Sequence, residues 1–347
     1  MSGINILITG GAGYIGSHVA KQLLETTKYN ITILDNLSTG SRKTLDTLKT
    51  IRDFTFIELD LKKFKKIADV LSTNNFDVII HFAASIVVPE SVENPIKYYM
   101  NNTANTTNLV KCAIEAKVNR FIFSSTAATY GEPTNVPKNG IDENYPTNPI
   151  NPYGMSKLMS ERLIQDTAAA NKEFKFVIFR YFNVAGADIN YTDEKLAPRI
   201  GQSFPNATHL IKIASECATL KREKMSIFGD DFDTIDGTGV RDYIHVDDLA
   251  SAHISAINYL QENDSDIFNV GYGKGYSVKE VIETMKKVTK TDFQIDIQER
   301  RSGDAAVLIS NNTKLKENMN WIPKYDDLAL ICESAFKWEK NTNNNIY

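Results

Sequence analysis

The 347-residue chain has only three cysteines, Cys112, Cys217 and Cys332, far apart and odd in number. That argues against a disulfide framework and against a clustered zinc site, and it points to a reducing compartment. No metal is expected. No run of about 18 apolar residues occurs, so no membrane-spanning helix is expected. The stretch MSGINILITGGAGYIG lacks the basic region, apolar stretch and cleavage site of a leader, and a cytoplasmic protein is the expectation. Net charge is −4 and no block of Lys or Arg stands out, which leaves no electrostatic footprint for nucleic acid or an anionic membrane. With 42% hydrophobic residues the chain is long enough for one large or two medium buried cores. A small-molecule partner fits these limits.

What is present is a regular alternation. INILIT, NITILD, DFTFIELD, FDVIIHFAAS, NRFIFSST and FKFVIFRYF read as strands, and residues 15 to 27, 62 to 73, 95 to 117 and 153 to 171 as helices. Strands alternating with helices of that length imply right-handed crossovers and a parallel sheet covered on both faces. The fold class expected is α/β, a doubly wound parallel sheet. Beyond residue 182 longer loops separate helices near 209 to 221 and 246 to 262. Residues 1 to 182 are expected to form a dinucleotide-binding domain. Residues 183 to 347 are expected to form a smaller mixed α/β substrate-binding region, with segments returning to the first. The Asn-rich NTNNNIY reads as a frayed end.

INILIT runs directly into GGAGYIGSHVAKQLL, where Gly11, Gly13 and Gly16 satisfy G-x-G-x-x-G and Gly10, Gly13 and Gly16 the wider spacing. Such glycines allow a tight turn and a backbone that approaches a pyrophosphate, while the helix start offers free N–H groups and positive dipole. Asp35, 19 residues beyond Gly16 at the end of the second strand, is placed to bind a ribose 2′-hydroxyl. An ionised Asp35 repels a 2′-phosphate, so the expected cofactor is NAD rather than NADP.

In an open parallel sheet, ligands bind beyond the carboxyl ends of the strands. Those ends carry Asn36, Asp60, His81 to Ser85 and Ser124 to Thr126, with small Ala83 and Ala84 suited to close passage of a flat cofactor. His81 reads as a structural histidine. The helix beginning at NPINPYGMSK places Tyr153 and Lys157 one turn apart at the same edge. A nicotinamide, Lys157 and the helix dipole all favour phenolate. Lowering a tyrosine from ~10 toward ~7 requires about 4 kcal/mol of differential stabilisation.

TGGAGYIG, SST and YGMSK in this order resemble the extended short-chain dehydrogenase/reductase superfamily, a Rossmann fold with a Ser/Thr, Tyr-x-x-x-Lys site. HFAAS, FIFSSTAATYGEP, RYFNVAGA, GTGVRDYIHVDDLA and RRSGD narrow the resemblance to UDP-hexose 4-epimerases over nearly the whole chain. Related dehydratases carry an Asp-Glu pair directly after the active-site Thr, where this chain has Ala127 and Ala128. The resemblance implies Tyr153 as base, Lys157 as its partner and Thr126 as proton relay. It also implies a cofactor set of Gly10, Gly13, Tyr14, Ile15, Gly16, Asp35, Asn36, Asp60, Leu61, Phe82, Ala83, Ala84 and Asn101 with Tyr153 and Lys157. For a UDP-sugar it implies Thr126, Asn183, Phe228, Arg241, Tyr243, Arg301, Asp304 and Leu308, the arginines on the diphosphate.

Leu308 falls where epimerases restricted to glucose and galactose have a bulky tyrosine, so N-acetylated sugars are expected to fit as well. The family forms homodimers through two helices, here about 95 to 117 and 153 to 171. An epimerase of a uronic acid or pentose, and a catalytically silent NAD-binding regulator, remain alternatives on the same residues.

Overall fold

A computed structural model describes residues 3–204, 208–301 and 304–343. Six strands open the chain: β1 (Asn5–Thr9), β2 (Asn30–Asp35), β3 (Thr55–Glu58), β4 (Val78–His81), β5 (Arg120–Thr126) and β6 (Lys175–Tyr181). With the strand Asp266–Val270 they form one seven-stranded sheet, whose order from one edge is Asp266–Val270, β6, β5, β4, β1, β2, β3. Every pairing is parallel. The order reverses between β1 and β4, and a doubly wound sheet opens a crevice at that point.

Each of these strands feeds both faces. Ile6, Ile8, Ile33, Val78, Ile80, Ile122 and Phe179 pack into one core, while Leu7, Leu34, Ile79, Phe121, Phe123 and Ile178 pack into the other. This burial on two sides is why the strands read as continuous apolar runs rather than alternating ones.

The strand Asp266–Val270 pairs with β6 although it lies far along the chain. The sequence reading did not single it out, because DIFNV is five residues long and stands between loops. Among the described residues four small sheets follow β6, one of them the antiparallel pair Tyr191–Thr192 and Lys195–Leu196. Asn183–Ala185 lies parallel to Tyr243–His245, Lys224–Phe228 lies parallel to Gln294–Gln298, and Val240–Arg241 sits between Tyr276–Ser277 and Val307–Leu308.

The long helix expected over 95 to 117 is interrupted. A short helix Pro95–Tyr98 passes through a π-helical turn, Tyr99–Ala104, before the helix Asn105–Glu115. Buried Asn102 explains the break. Its amide donates to the Ser85 carbonyl and to Ser156 Oγ, both at 3.0 Å, and its carbonyl accepts from the Ser85 N–H at 2.8 Å. The wider turn satisfies these groups where an α-helix would not point them.

A buried ionic cluster ties the helix after the glycine loop, Tyr14–Thr26, to the second half of the chain. Lys21 Nζ reaches Asp188 at 2.6 Å and Asp247 at 2.7 Å, and Arg199 closes on Asp188 at 2.6 Å. The Tyr14 hydroxyl donates to the Gly186 carbonyl at 2.7 Å. Of the Asn-rich end, residues 341–343 close the helix Leu328–Asn343, and residues 344–347 lie outside the described residues.

Candidate active site

The carboxyl ends of the strands open into a cavity of about 1130 Å³. It reaches from the glycine loop to Arg301 and Leu308, and every site residue expected from the sequence lines it. Gly11 does not. A Cβ there would meet Ile33 at 2.8 Å, so Gly11 serves helix-to-strand packing.

At the β1 end, Gly10 has φ +74°, and a Cβ on it would stand 2.6 Å from the Ala83 nitrogen. A Cβ on Gly16 would stand 2.3 Å from the Gly10 carbonyl oxygen. These contacts bring the loop, the helix and the residues after β4 together with no room for side chains. Gly13 begins the helix Tyr14–Thr26 without any side-chain cap, and no acidic residue occupies the first turn. The first amide N–H groups are therefore available to an anion.

Asp35 ends β2 on the same wall. Its Oδ2 accepts from the Ala12 N–H at 3.0 Å and its Oδ1 from the Leu37 N–H at 2.8 Å. Burial raises this carboxyl from its ordinary value, and the backbone donors oppose that rise. Beyond it, Asn36 donates to Asp60 Oδ2 at 3.0 Å, joining the ends of two neighbouring strands. Asn101 donates to Ser85 Oγ at 3.0 Å from the π-helical turn.

Pro152 opens the helix Pro152–Ala170, and Asn151 caps it by accepting from the Gly154 N–H at 2.9 Å. Both residues favour a helix start. Tyr153 and Lys157 then face the end of β5. The Tyr153 ring meets the Tyr98 ring edge-on, with centroids 6.4 Å apart. Lys157 Nζ donates to the Ser124 carbonyl at 2.7 Å and lies 4.9 Å from the Phe123 ring centre.

The expected low tyrosine pKa is not a property of the protein groups alone. Burial raises Tyr153, and the hydrogen bond with Thr126 only opposes this. Burial also brings Lys157 down to about 7, against the pull of the Glu161 carboxylate. With its pKa brought down to about 7, Lys157 carries its charge only part of the time near neutral pH, and so supports a phenolate less than a lysine with the ordinary value would.

His81 is structural, as its sequence position suggested. Its Nδ1 lies 2.6 Å from Thr9 Oγ1 and its Nε2 lies 2.9 Å from Thr106 Oγ1. Burial, and then the charge of Lys157, hold it down at about 3.

The opposite end of the cavity is cationic. Arg241 pairs in register with Leu308, and Arg301 stacks its guanidinium 4.6 Å from the Phe228 ring centre. Arg301 Nε donates to Asp304 at 2.9 Å. Burial lowers Arg241, the Asp304 charge opposes this, and Arg301 lowers it further. Two guanidiniums that repel each other with one carboxylate between them form a site for a doubly charged anion. Tyr243 pairs with Asn183 beside them. Leu308 packs against the cluster of Ala127, Tyr130, Ile141 and Phe182, which begins just beyond the carboxyl end of β5.

Some lining residues escaped the sequence reading. Ile86, Val88 and Val92 form an apolar lip after β4, and Gln202, His209 and Leu210, the last two at the start of the helix Leu210–Ala218, line the wall as well. Gln202 Nε2 and His209 Nδ1 are 2.9 Å apart. Ile86 and Val88 follow directly on the quoted HFAAS, in IVVPE, whose apolar residues could have signalled the lip. Gln202 and His209 belong to no motif to find them by.

The family described as "NAD dependent epimerase/dehydratase family" matches residues 6–271. The chain belongs to that family. The UDP-glucose 4-epimerase of Azospirillum brasilense is 43% identical over 342 residues, 98% of this chain and 93% of that protein. Among solved structures, the UDP-Glc/GlcNAc 4-epimerase of Campylobacter jejuni is 56% identical with a TM-score of 0.84, covering 98% of this chain and 100% of that one. The UDP-glucose 4-epimerase of Bifidobacterium longum, in complex with NAD+ and UDP, is 33% identical with a TM-score of 0.91, covering 99% and 100%.

NAD is the family's cofactor, and the cradle fits it. A Cβ on Gly13 would meet only the Gly10 carbonyl, at 3.3 Å, so glycine leaves that volume to the cavity beside the uncapped helix start. Asp35 closes the same wall with a carboxylate that suits a free ribose hydroxyl.

The buried imidazole of His81 gives a pH test with a definite sign. Its folded value lies below its ordinary 6.5, so its contribution to stability is complete above about pH 6.5 and is lost as pH falls toward about 3. Urea midpoints measured across that window fall with pH, and His81→Gln, which cannot ionise, flattens the fall. An unchanged profile in the variant removes His81 from the acid response.

Proposed function

We propose that this chain reversibly inverts C4 of UDP-linked hexoses with NAD retained through the cycle. The observation that carries this reading is one cavity holding Tyr153, Lys157 and Thr126 near its middle and the Arg241–Arg301 pair at its far end, with no carboxylate at positions 127 and 128. Water elimination needs an added acid and base, which two alanines do not provide. The epimerases named above support the same reaction.

When bound, NAD supplies a reversible hydride acceptor for sugar C4 and a positive ring beside Tyr153. Tyr153 takes the proton of the 4-hydroxyl, and Thr126 hydrogen-bonds the same oxygen and relays the proton. Lys157 lends its charge to the phenolate from the next helical turn. Arg241 and Arg301 hold the diphosphate, with Asn183, Phe228, Tyr243 and Asp304 around the nucleotide, so the handle stays fixed while the keto sugar turns. The cofactor residues named above, from Gly10 to Asn101, bind the dinucleotide. Residues 1 to 182 thus serve mainly the cofactor and residues 183 to 347 mainly the UDP-sugar, in a protein of the reducing cytoplasm whose three cysteines are buried and free.

Leu308 favours a wider substrate range. It is half-buried on the cavity wall and packs against the apolar cluster that includes Ala127, the residue after the β5 end. A leucine there leaves room that a tyrosine would fill, and the Campylobacter jejuni relative is named for both plain and N-acetylated sugars. We read the chain as accepting UDP-glucose and UDP-galactose together with UDP-GlcNAc and UDP-GalNAc.

An exposed apolar face supports a homodimer. Ile96 is 73% exposed, Met100 57% and Met159 46%, all on the two segments expected to pair between copies. A second copy of the same face would cover them in a self-complementary contact.

Three measurements test this reading. Tyr153→Phe leaves the fold and NAD content intact and lowers kcat on UDP-galactose by about 10²- to 10⁴-fold; near-normal turnover removes Tyr153 as the base. Leu308→Tyr suppresses activity on the N-acetylated pair while sparing the plain pair; equal loss on both removes the gatekeeping role. Sedimentation gives a dimer for the unmodified protein and a monomer for Ile96→Lys with Met100→Lys; a monomeric unmodified protein overturns the assembly.

A further inference from the structure

Glu161 lies one helical turn beyond Lys157 and two beyond Tyr153, so the three share a face of the helix Pro152–Ala170. Its carboxylate is fully buried, and the reaction described above does not use it. Three consecutive residues of β5 meet this face. The Ser124 carbonyl accepts from Lys157 Nζ at 2.7 Å, the Ser125 hydroxyl donates to Glu161, and the Thr126 side chain, as a polar neighbour, favours the ionised form of Tyr153.

Arg180 stands opposite Ser125 in the β5–β6 register and closes on the same carboxylate. Its Nη2 is 2.7 Å from Oε2, and its Nε is 3.2 Å from both oxygens. Its Nη1 donates to the Tyr130 hydroxyl at 3.0 Å, which donates in turn to Asn269 Oδ1 at 2.7 Å on the strand Asp266–Val270. One carboxylate therefore joins the helix directly to β5 and β6 and, through Arg180 and Tyr130, to the strand beyond.

We propose that Glu161, gripped by Ser125 and Arg180, is a positioning residue that sets the register of the Tyr153 helix on β5 and so fixes Tyr153 and Lys157 against Thr126. The other two rungs are poor rulers. A lysine reaches its carbonyl on a flexible four-carbon stem, and a threonine hydroxyl rotates, whereas a guanidinium fork on a carboxylate is directional. A misplacement of about 1 Å at a reacting pair costs roughly 10²-fold in rate. The same carboxylate also opposes the desolvation of Lys157.

The proposal rests on Tyr153 being the base of the reading above. A pair kept for stability alone is replaceable by apolar residues of similar size, which gives the test its discrimination. Ser125→Ala removes the bond to β5 without exposing a charge, and Glu161→Leu with Arg180→Met replaces the whole pair. The NAD-bound protein is assayed for unfolding temperature, kcat and KM on UDP-galactose, and Tyr153 ionisation by tyrosinate absorbance differenced against Tyr153→Phe.

Ser125→Ala is expected to keep the unfolding temperature and KM while kcat falls about 10-fold, and the folded double variant to lose about 10²-fold in kcat. Tyr153 ionises at higher pH in both. Wild-type kcat and wild-type Tyr153 titration in folded Ser125→Ala overturn the proposal, whether or not the double variant folds. If the unmodified protein acts on no UDP-hexose, the functional reading fails, and the Tyr153 titration alone still decides the positioning role.

Discussion

Keeping Lys157 charged in a place that water scarcely reaches is the constraint around which the site is organised. Its side chain is almost wholly buried, and the lost hydration brings its pKa to about 7. The Ser124 carbonyl, the Phe123 ring and the Glu161 carboxylate offset part of that loss. A buried carboxylate introduced for this purpose needs its own counter-charge, and Arg180 on β6 provides it. Arg180 then requires Tyr130, and Tyr130 requires Asn269. The strand order that sets Asp266–Val270 beside β6 is thereby linked, through a chain of polar contacts, to Tyr153 and Lys157.

The cavity is electrostatically two-ended. An uncapped helix start faces one end and two mutually repelling guanidiniums face the other, while Phe82, Ala83, Ala127 and Leu308 line the stretch between. Phosphate groups suit both ends, and the small and apolar side chains set among the polar ones between them suit a flat ring and a sugar face. The buried cluster of Lys21, Asp188, Asp247 and Arg199 ties the cofactor helix to the loop that follows β6, so the two ends belong to one packed unit.

Local signals in the chain were strong where burial is two-sided. NITILD was read to the residue and FKFVIFRYF to within one at each end, because strands with both faces covered carry unbroken β-branched and aromatic runs. The helix around 95 to 117 was read without its π-helical turn, since the hydrogen bonds of Asn102 that widen it reach Ser85 and Ser156, far away in sequence. The glycine loop, Asp35 and the Tyr153–Lys157 spacing were legible because each is a short-range pattern with a chemical purpose. Gln202 and His209 were not, because neither belongs to a motif and only the packing of distant segments brings them to the cavity wall.

Tyr153 shows where the division falls. Residue order alone determined the doubly wound fold, the cofactor cradle and the pairing of a tyrosine with a lysine one turn away, since these depend on periodicities of two and of 3.6 residues and on glycine's missing side chain. The protonation of that tyrosine was decided by tertiary structure. Burial raises the phenol and weakens the lysine, and desolvation is set by everything packed around a group rather than by its neighbours in the chain. The same holds for the grip of Ser125 and Arg180 on Glu161, which exists only once β5, β6 and the helix lie side by side.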